Sequence, residues 1–316
     1  MSKIAFIFPG QGSQTVGMAG EFIERDGASK EFVERADAAL RFSLSKIMQN
    51  GPQEELTLTY NAQPALLTSG VIVAEKLRQA GITADFVAGH SLGEYAALVY
   101  TGALQFDEAV VTVHKRGQFM EQAVPAGEGA MAAILNLDAE VLTALCREIS
   151  TSRYAVQLAN INCPGQIVIS GTKEGVERAS ALAKERGAKR AIPLVVSGPF
   201  HSALMAPAAD QLDVALRTVA IADPLIPVVS NVTSELLTAA SQIHQELVHQ
   251  VTSPVCWQQN VEQLLAQGVT TFIECGPGKV LSGLVKKIQR DVQVLSVYDE
   301  QTLQQALDAL KGVEQA

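Results

Sequence analysis

The chain has 316 residues, 47% of them hydrophobic and 18% charged, so it can bury a large core and is not a disordered protein. Its formal net charge of −9 argues against bulk binding to nucleic acid. The cysteines are scattered without a Cys-x-x-Cys pair and no apolar run suits a signal peptide or a membrane span, which predicts a cytoplasmic protein without a zinc site or disulfide framework.

The first element is a continuous apolar run, Ile4–Phe8, which predicts a parallel strand buried on both faces. A glycine-containing loop, Pro-Gly-Gln-Gly-Ser-Gln, follows at residues 9–14. It is not a dinucleotide-binding loop, because Thr15 stands where that fingerprint needs glycine or alanine. The loop can aim backbone N–H groups at a ligand, and an ordinary surface turn is the alternative.

Apolar periodicity predicts helices over residues 30–48 and 61–80. The next stretch, residues 86–98, predicts a strand, a tight turn and a helix. The turn contains Gly-x-Ser-x-Gly, with Ser91 at its centre. Strand, turn and helix around such a serine form a nucleophile elbow, and the N-terminus of the helix offers free N–H groups beside the hydroxyl. An ordinary serine in a strand-to-helix turn is the alternative interpretation.

The next predicted helix covers residues 106–120 and carries one misplaced charge. Arg116 falls on the apolar stripe of this helix, three residues after Val113 and four before Met120. A desolvated guanidinium without a partner is costly, so Arg116 needs a ligand or an ion-pair partner. A structural salt bridge, or a side chain that extends to the rim of the fold, is the alternative.

Residues 127–192 change in character and predict the order βαββαβ, the split ferredoxin-like unit, as an inserted small domain. Its strands are predicted at residues 130–135, 156–161, 166–170 and 188–192, and its helices at 139–149 and 173–186. We expect Asn160 and Asn162 on a cleft-side loop of this unit, although asparagine in a turn is often only turn chemistry.

After the insert, residues 194–201 return to the large domain and end at a strand-loop-helix junction beside the breaker pair Gly198-Pro199. Loops on rigid elements often carry catalytic groups, so His201 is the best-placed general base among the five histidines. Helices are then predicted at residues 202–220, 242–251, 261–266, 281–288 and 302–310, and strands at 227–230, 271–274 and 292–297.

Five motifs occur in a set order. They are Phe-Pro-Gly-Gln-Gly-Ser-Gln at 8–14, Gly-His-Ser-Leu-Gly-Glu at 89–94, Asn-x-Pro-x-Gln-x-Val-x-Ser-Gly at 162–171, Gly-Pro-Phe-His-Ser at 198–202 and Glu-x-Gly-Pro-Gly at 274–278. Together the chain resembles the malonyl-CoA:acyl carrier protein transacylases of type II fatty acid synthesis, from about residue 3 to residue 287. The resemblance implies a hydrolase-like parallel-sheet core, residues 1–126 and 194–316, with an inserted ferredoxin-like subdomain at 127–193 and the active site between them.

The resemblance also implies roles for individual residues. Ser91 resembles the acyl-accepting nucleophile, His201 its base, and Arg116 the arginine that grips the malonyl carboxylate. The backbone N–H groups of Gln11 and Leu92 resemble the oxyanion hole. Four further positions match the family with supporting roles. The backbone carbonyl of Gln250 resembles the group that orients the histidine, at a position where an aspartate is usual in other enzymes of this kind. Asn160, Asn162 and Phe200 match residues on the substrate side of the site.

The implied reaction moves a malonyl group from malonyl-CoA to an acidic carrier protein by double displacement, with no metal or redox cofactor. A monomer is expected, and a basic cluster, Lys286, Lys287 and Arg290, is the candidate docking site for the carrier, with a solvated helix end as the alternative.

The other function classes left open are a serine esterase or thioesterase, an acyltransferase that serves polyketide synthesis, and a non-catalytic acyl-binding scaffold. An esterase needs an acidic triad member between the serine and the histidine, and Asp138, Glu140 and Glu148 of that interval lie inside the insert.

Overall fold

Two β-sheets and the helices packed on them make up the protein. The computed structural model describes residues 3–311. The strands are β1 (Lys3–Phe8), β2 (Phe86–Gly89), β3 (Gly129–Leu135), β4 (Val156–Cys163), β5 (Gln166–Thr172), β6 (Arg190–Pro193), β7 (Val228–Val229), β8 (Leu236–Leu237), β9 (Val269–Cys275) and β10 (Gln293–Val297). The helices are α1 (Gly20–Arg25), α2 (Gly27–Leu40), α3 (Leu44–Asn50), α4 (Gln53–Thr57), α5 (Thr59–Gln79), α6 (Leu92–Tyr100), α7 (Phe106–Gln122), α8 (Ala139–Ile149), α9 (Lys173–Glu185), α10 (Ala206–Leu216), α11 (Ala240–Gln250), α12 (Trp257–Ala266), α13 (Val280–Ile288) and α14 (Glu300–Lys311).

The large sheet has the strand order β10-β9-β1-β2-β7-β8, and every pairing in it is parallel except that of β7 with β8. Side chains of β1 alternate between two apolar layers. Phe6 and Phe8 pack in the layer that holds residues of α5, α6 and α7, while Ala5 and Ile7 pack in the layer that holds residues of α12 and α13. Burial on both faces explains why β1 is apolar at every position from Ile4 onwards, as predicted.

The parallel arrangement places the loop after β1 beside the turn after β2. Parallel strands end at the same edge of a sheet, and β1 pairs directly with β2. The backbone N–H of His90 donates to the carbonyl of Phe8 at 2.9 Å. The glycine loop and the predicted elbow, which are about 80 residues apart in sequence, therefore lie next to each other.

The small sheet is antiparallel, with the order β4-β5-β3-β6, and it is built from residues 129–193 together with α8 and α9. We call this part the small unit. Its chain order is βαββαβ, so the predicted fold class, a parallel-sheet core with a small ferredoxin-like part, is confirmed. The expectation that Asn160 and Asn162 lie on a loop is wrong: both lie in β4, because the turn to β5 takes only Pro164 and Gly165.

Several further element predictions need correction, including these three. The single helix predicted over residues 30–48 is two helices, α2 and α3, separated at Arg41, which adopts the left-handed conformation with φ 60°. The helix predicted over residues 202–220 is shorter, since α10 starts after a 3₁₀ turn at Ala203–Met205 and ends at Leu216. The short strand β8 was not predicted, because two residues show no periodicity. Among the described residues, no helix is both long and apolar enough to cross a membrane.

Candidate active site

Ser91 occupies a tight turn between β2 and α6, with φ 51° and ψ −104°. The turn requires glycines on both sides. A Cβ on Gly89 would lie 1.9 Å from the carbonyl carbon of Gly93, and a Cβ on Gly93 would lie 2.0 Å from the oxygen of Phe8. Asn231, from the loop after β7, spans the turn: its Oδ1 accepts from Ser91 N at 2.7 Å and its Nδ2 donates to Gly89 O at 2.6 Å. The turn is therefore held by contacts from outside it, as a strained backbone requires.

His201 lies directly opposite Ser91, although 110 residues separate the two in sequence. The Nε2 atom of His201 is 2.8 Å from Ser91 Oγ. Its Nδ1 atom is 2.8 Å from the carbonyl oxygen of Gln250 and 3.2 Å from that of Ser253. Carbonyl oxygens only accept, so we assign the ring proton to Nδ1, which leaves Nε2 free to accept the proton of the Ser91 hydroxyl.

The imidazole of His201 is buried, and its surroundings disfavour the charged form. Burial first, and then the positive charge of Arg116, lower the pKa of His201 to about 3. The ring is therefore neutral at pH 7, the state in which a histidine can accept a proton.

Arg116 is 1% exposed and points its guanidinium at the same serine. Its Nη1 donates to Gln63 Oε1 at 2.8 Å, and its Nη2 donates to Gln250 Oε1 at 2.8 Å and to Ser91 Oγ at 3.1 Å. Its Nε has no hydrogen-bond partner among residues 3–311, and no salt bridge of this part of the chain involves it. The structural salt bridge considered above is thus not found, and one buried donor of Arg116 has no hydrogen-bond partner in the described part of the chain.

The side chain of Gln250 links Arg116 to the backbone of the serine turn by hydrogen bonds. Its Oε1 accepts from the guanidinium, and its Nε2 donates to Ser91 O at 3.1 Å and to the buried carboxyl of Glu94. Glu94 also accepts from the backbone N–H of Asn231 at 3.1 Å. Burial, and then the nearby Glu246, raise the pKa of Glu94 to about 8. One network of hydrogen bonds therefore joins the serine turn to the arginine.

Sequence reasoning missed three members of this network: Gln63, Glu94 and Asn231. Glu94 carried a signal, because a carboxyl group stands in the otherwise apolar helix that follows the elbow. Gln63 and Asn231 carried none, since their partners lie 53 and 140 residues away in sequence.

A cavity of about 180 Å³ opens in front of Ser91 and His201. Asn160 and Phe200, both predicted to face the substrate, line it. Asn162 does not; its Oδ1 is 2.9 Å from the Nε2 of His90, and the cavity wall is formed by that histidine instead. The remaining lining is Gln11, Gly12, Gln14, Thr57, Leu92, Arg116, Met120, Met131, Leu194, Val195 and Val196.

The two predicted oxyanion donors border this cavity. Gln11 and Leu92 both line it, and Leu92 is the first residue of α6, where backbone N–H groups have no partner within the helix. None of the hydrogen bonds described for residues 3–311 uses the backbone N–H of either residue. Two N–H groups beside a serine hydroxyl can stabilise the negative oxygen of a tetrahedral intermediate.

The predicted basic cluster lies away from this cavity, at the end of α13. Lys286, Lys287 and Arg290 are exposed. Lys286 Nζ donates to the carbonyls of Arg290 at 3.0 Å and Val292 at 2.6 Å, and Lys287 Nζ donates to Gln166 Oε1 of the small unit at 2.9 Å. The cluster therefore sits where the small unit meets α13. Within the described residues, no three His, Cys, Asp or Glu side chains come together as metal ligands.

A buried histidine paired with a serine at a strand-to-helix turn, in an α/β core, is the arrangement of a serine-dependent acyl-transfer enzyme. Comparison with known proteins agrees with this class. The family model for the acyl transferase domain matches residues 5–304.

The malonyl CoA-acyl carrier protein transacylase of Bacillus subtilis is 57% identical to this chain over 311 residues, which are 98% of each chain. The malonyl CoA-acyl carrier protein transacylase of Escherichia coli strain K12 is 46% identical, over 98% of this chain and the full length of the Escherichia coli protein. Among solved structures, an acyl carrier protein S-malonyltransferase of Vibrio cholerae superposes with a TM-score of 0.94 at 45% identity, over 96% of this chain and all of its own. A malonyl-transacylase in complex with a type II PKS acyl-carrier protein gives a TM-score of 0.94 at 42% identity, over 98% of this chain and all of its own. The chain belongs to the acyl transferase family, among the malonyl CoA-acyl carrier protein transacylases.

Proposed function

We propose that the protein transfers a malonyl group from malonyl-CoA to the pantetheine thiol of acyl carrier protein, through a malonyl-serine intermediate, and so supplies fatty acid chain elongation. One observation carries the proposal: Ser91 Oγ lies 2.8 Å from the Nε2 of His201 and 3.1 Å from the Nη2 of Arg116. A nucleophile, its base and a carboxylate-binding group thus meet at a single atom. The relatives above carry the same activity in their names.

In the first half-reaction, His201 accepts the proton of the Ser91 hydroxyl as Oγ attacks the thioester carbonyl of malonyl-CoA. The carbonyl oxygen becomes an oxyanion, which the N–H groups of Gln11 and Leu92 stabilise; removal of one such donor typically costs about 2.7–4 kcal/mol. The C–S bond then breaks, and the departing CoA sulfur takes the proton from Nε2. The product is a malonyl ester of Ser91.

The second half-reaction runs the same steps in reverse with a different thiol. The pantetheine thiol of the carrier gives its proton to His201, its sulfur attacks the ester, and Ser91 leaves with the proton. One thioester replaces another, and no atom changes its oxidation state. We therefore propose that malonyl-CoA is a substrate and that the reaction uses no cofactor.

Selectivity for malonyl is assigned to Arg116. Its Nε and Nη2 lie on one edge of the guanidinium and form the planar pair of donors that a carboxylate accepts bidentately. Nε is unpaired and Nη2 contacts Ser91, so a carboxylate bound there keeps the neighbouring thioester close to the nucleophile. Asn160 and Phe200 shape the rest of the cavity, whereas Asn162 acts through His90.

A serine esterase fits the site less well. Its histidine would be oriented by a carboxylate, whereas backbone carbonyls orient His201. The candidate acids Asp138, Glu140 and Glu148 belong to the small unit, and Glu148 accepts from Arg186. A non-catalytic acyl-binding scaffold would have no need of a serine within 2.8 Å of a neutral histidine.

We further propose a domain organisation, an oligomeric state and a cellular location for the protein. Residues 1–126 and 194–316 form the catalytic domain and residues 127–193 the inserted subdomain. We also propose that the protein is a monomer. A cytoplasmic location follows from the pathway, since carrier-protein-dependent fatty acid synthesis is the proposed role.

The proposal is tested by intact-mass measurement after brief incubation with malonyl-CoA. We expect the wild-type protein and a control, Ser241→Ala on the exposed face of α11, to gain the mass of one malonyl group, and Ser91→Ala to gain none. Addition of an acyl carrier protein should then discharge the adduct. A malonyl adduct on Ser91→Ala, or a wild-type adduct that only water discharges, would contradict the proposal. Parallel tests with fatty acid and polyketide carriers identify the acceptor.

We also propose that the basic cluster at the end of α13 docks the acidic carrier. The double variant Lys286→Glu with Lys287→Glu should raise the KM for the carrier and leave the KM for malonyl-CoA unchanged. The control is Lys30→Glu, an exposed lysine of α2 that pairs with Glu34. Equal changes for both substrates, or the same change in the control, would reject this docking site.

A further inference from the structure

One side chain of the small unit reaches into the backbone around His201. Gln157, in β4, makes three hydrogen bonds to main-chain atoms of the large domain. Its Nε2 donates to the carbonyl of His201 at 3.3 Å and to that of Thr252 at 3.1 Å, while its Oε1 accepts from the N–H of Ala203 at 2.9 Å. Both donors and the acceptor oxygen of one amide are thus directed at two loops that lie far apart in sequence.

Those two loops are the ones that position the imidazole. His201 itself adopts φ 56°, a conformation that costs a non-glycine residue about 1–3 kcal/mol and persists only where surrounding contacts fix it. Gln157 binds the backbone directly after this strained torsion, at His201 O and Ala203 N. Its third bond, to Thr252 O, fixes the chain between Gln250 and Ser253, whose carbonyls accept from the ring.

We propose that Gln157 is a positioning residue for His201: it joins the histidine loop to the segment after α11, so that Nε2 stays aimed at Ser91. The inference rests on the proposed function, in which His201 is the base. It assigns to the small unit a part in the chemistry beyond forming a cavity wall. Gln157 contacts neither Ser91 nor Arg116, so its effect falls on proton transfer and not on malonyl binding.

The structure supplies a matched control. Gln166, at the start of β5, is another glutamine of the small unit that reaches the large domain, where its Oε1 accepts from Lys287 at the end of α13. Neither of its described side-chain hydrogen bonds, with Cys163 and with Lys287, reaches the loops around His201. The variant Gln157→Leu therefore removes three hydrogen bonds between the small unit and the large domain, and Gln166→Leu removes one. Only the first variant removes a hydrogen bond to the histidine loop.

The experiment is single-turnover acylation by malonyl-CoA over a range of concentrations, followed by rapid quench and intact-mass measurement. For Gln157→Leu we expect the maximal acylation rate constant to fall by between about tenfold and about 100-fold, because small misplacements of a catalytic group have effects of this size. The concentration for half-maximal rate should not change. Gln166→Leu should acylate at the wild-type rate. Gln157→Glu, which can still accept from Ala203 but cannot donate, should be slowed like the leucine variant.

Thermal unfolding of the variants separates positioning from folding. We expect the unfolding midpoints of Gln157→Leu and Gln166→Leu to agree within about 2 °C, the shift that about 1 kcal/mol produces at this size. The inference is overturned if Gln157→Leu acylates at the wild-type rate, if only its half-saturating concentration changes, or if Gln166→Leu is slowed equally. If the wild-type protein forms no malonyl adduct, the proposed function fails first, and this inference fails with it.

Discussion

Replacement of Arg116 by alanine is the sharpest test of substrate choice. Arg116 is 1% exposed and its Nε has no partner in the described structure, so we expect a substrate carboxylate to complete its hydrogen bonding. Truncation of one member of a buried charge pair costs about 2–5 kcal/mol, most of it the penalty of leaving the other charge unpaired. At 1.4 kcal/mol per factor of ten, kcat/KM for malonyl-CoA should fall by roughly 30-fold to roughly 4,000-fold.

Acetyl-CoA has no carboxylate and should respond in the opposite direction. With the wild-type enzyme it leaves the buried positive charge of Arg116 without a negative partner, which disfavours acetyl-CoA. Arg116→Ala should therefore retain or gain acetyl transfer, and the ratio of kcat/KM for malonyl-CoA to that for acetyl-CoA is the quantity to measure. Arg116→Lys keeps the charge but loses the planar pair of donors, so its ratio should lie between those of wild type and alanine.

A surface arginine provides the control for this experiment. Arg35 pairs with Asp107 of α7 at 3.0 Å, but its side chain is 38% exposed, and exposed pairs contribute about 0–1 kcal/mol. Arg35→Ala should leave the ratio unchanged. If Arg116→Ala also keeps the wild-type ratio, Arg116 is a structural residue and the carboxylate is bound elsewhere.

Three further outcomes follow from the site. His201→Ala should slow malonyl transfer by about 10²–10⁴-fold, the usual contribution of a general base, with a thermal unfolding midpoint close to wild type; unaltered turnover would move the assignment to His90 or His114. Gln250→Ala keeps the carbonyl that orients His201 but removes the amide that holds Arg116, so KM for malonyl-CoA should rise more than kcat falls, and an equal loss for acetyl-CoA would contradict this. Burial and Arg116 lower the folded-state pKa of His201 to about 3 from an ordinary 6.5, so the unfolded chain binds more protons than the folded chain between these pH values. Urea titrations should therefore show that the free energy of unfolding decreases as the pH falls below about 6.5, and that it decreases less steeply in His201→Gln. Identical pH dependence in both proteins would refute this prediction.

Local pattern was sufficient to predict the elements and several chemical groups. The apolar run of β1, the Gly-x-Ser-x-Gly turn and the arginine on an apolar stripe are features of short segments, and each was found where the pattern indicated. The order βαββαβ of the small unit was likewise predicted from periodicity alone. Local pattern failed at Arg41 and in β4, where one left-handed residue and a two-residue turn changed the boundaries.

The network that makes these groups a site was decided by the tertiary structure. Arg116 meets Gln63 and Gln250 across 53 and 134 residues, and Gln157 meets the carbonyl of His201 across 44. No periodicity in the sequence encodes such pairings, because a side-chain amide can satisfy its hydrogen bonds with almost any polar neighbour. Tertiary packing selects which neighbour each amide meets, and these pairings contribute more to stability because the side chains are buried.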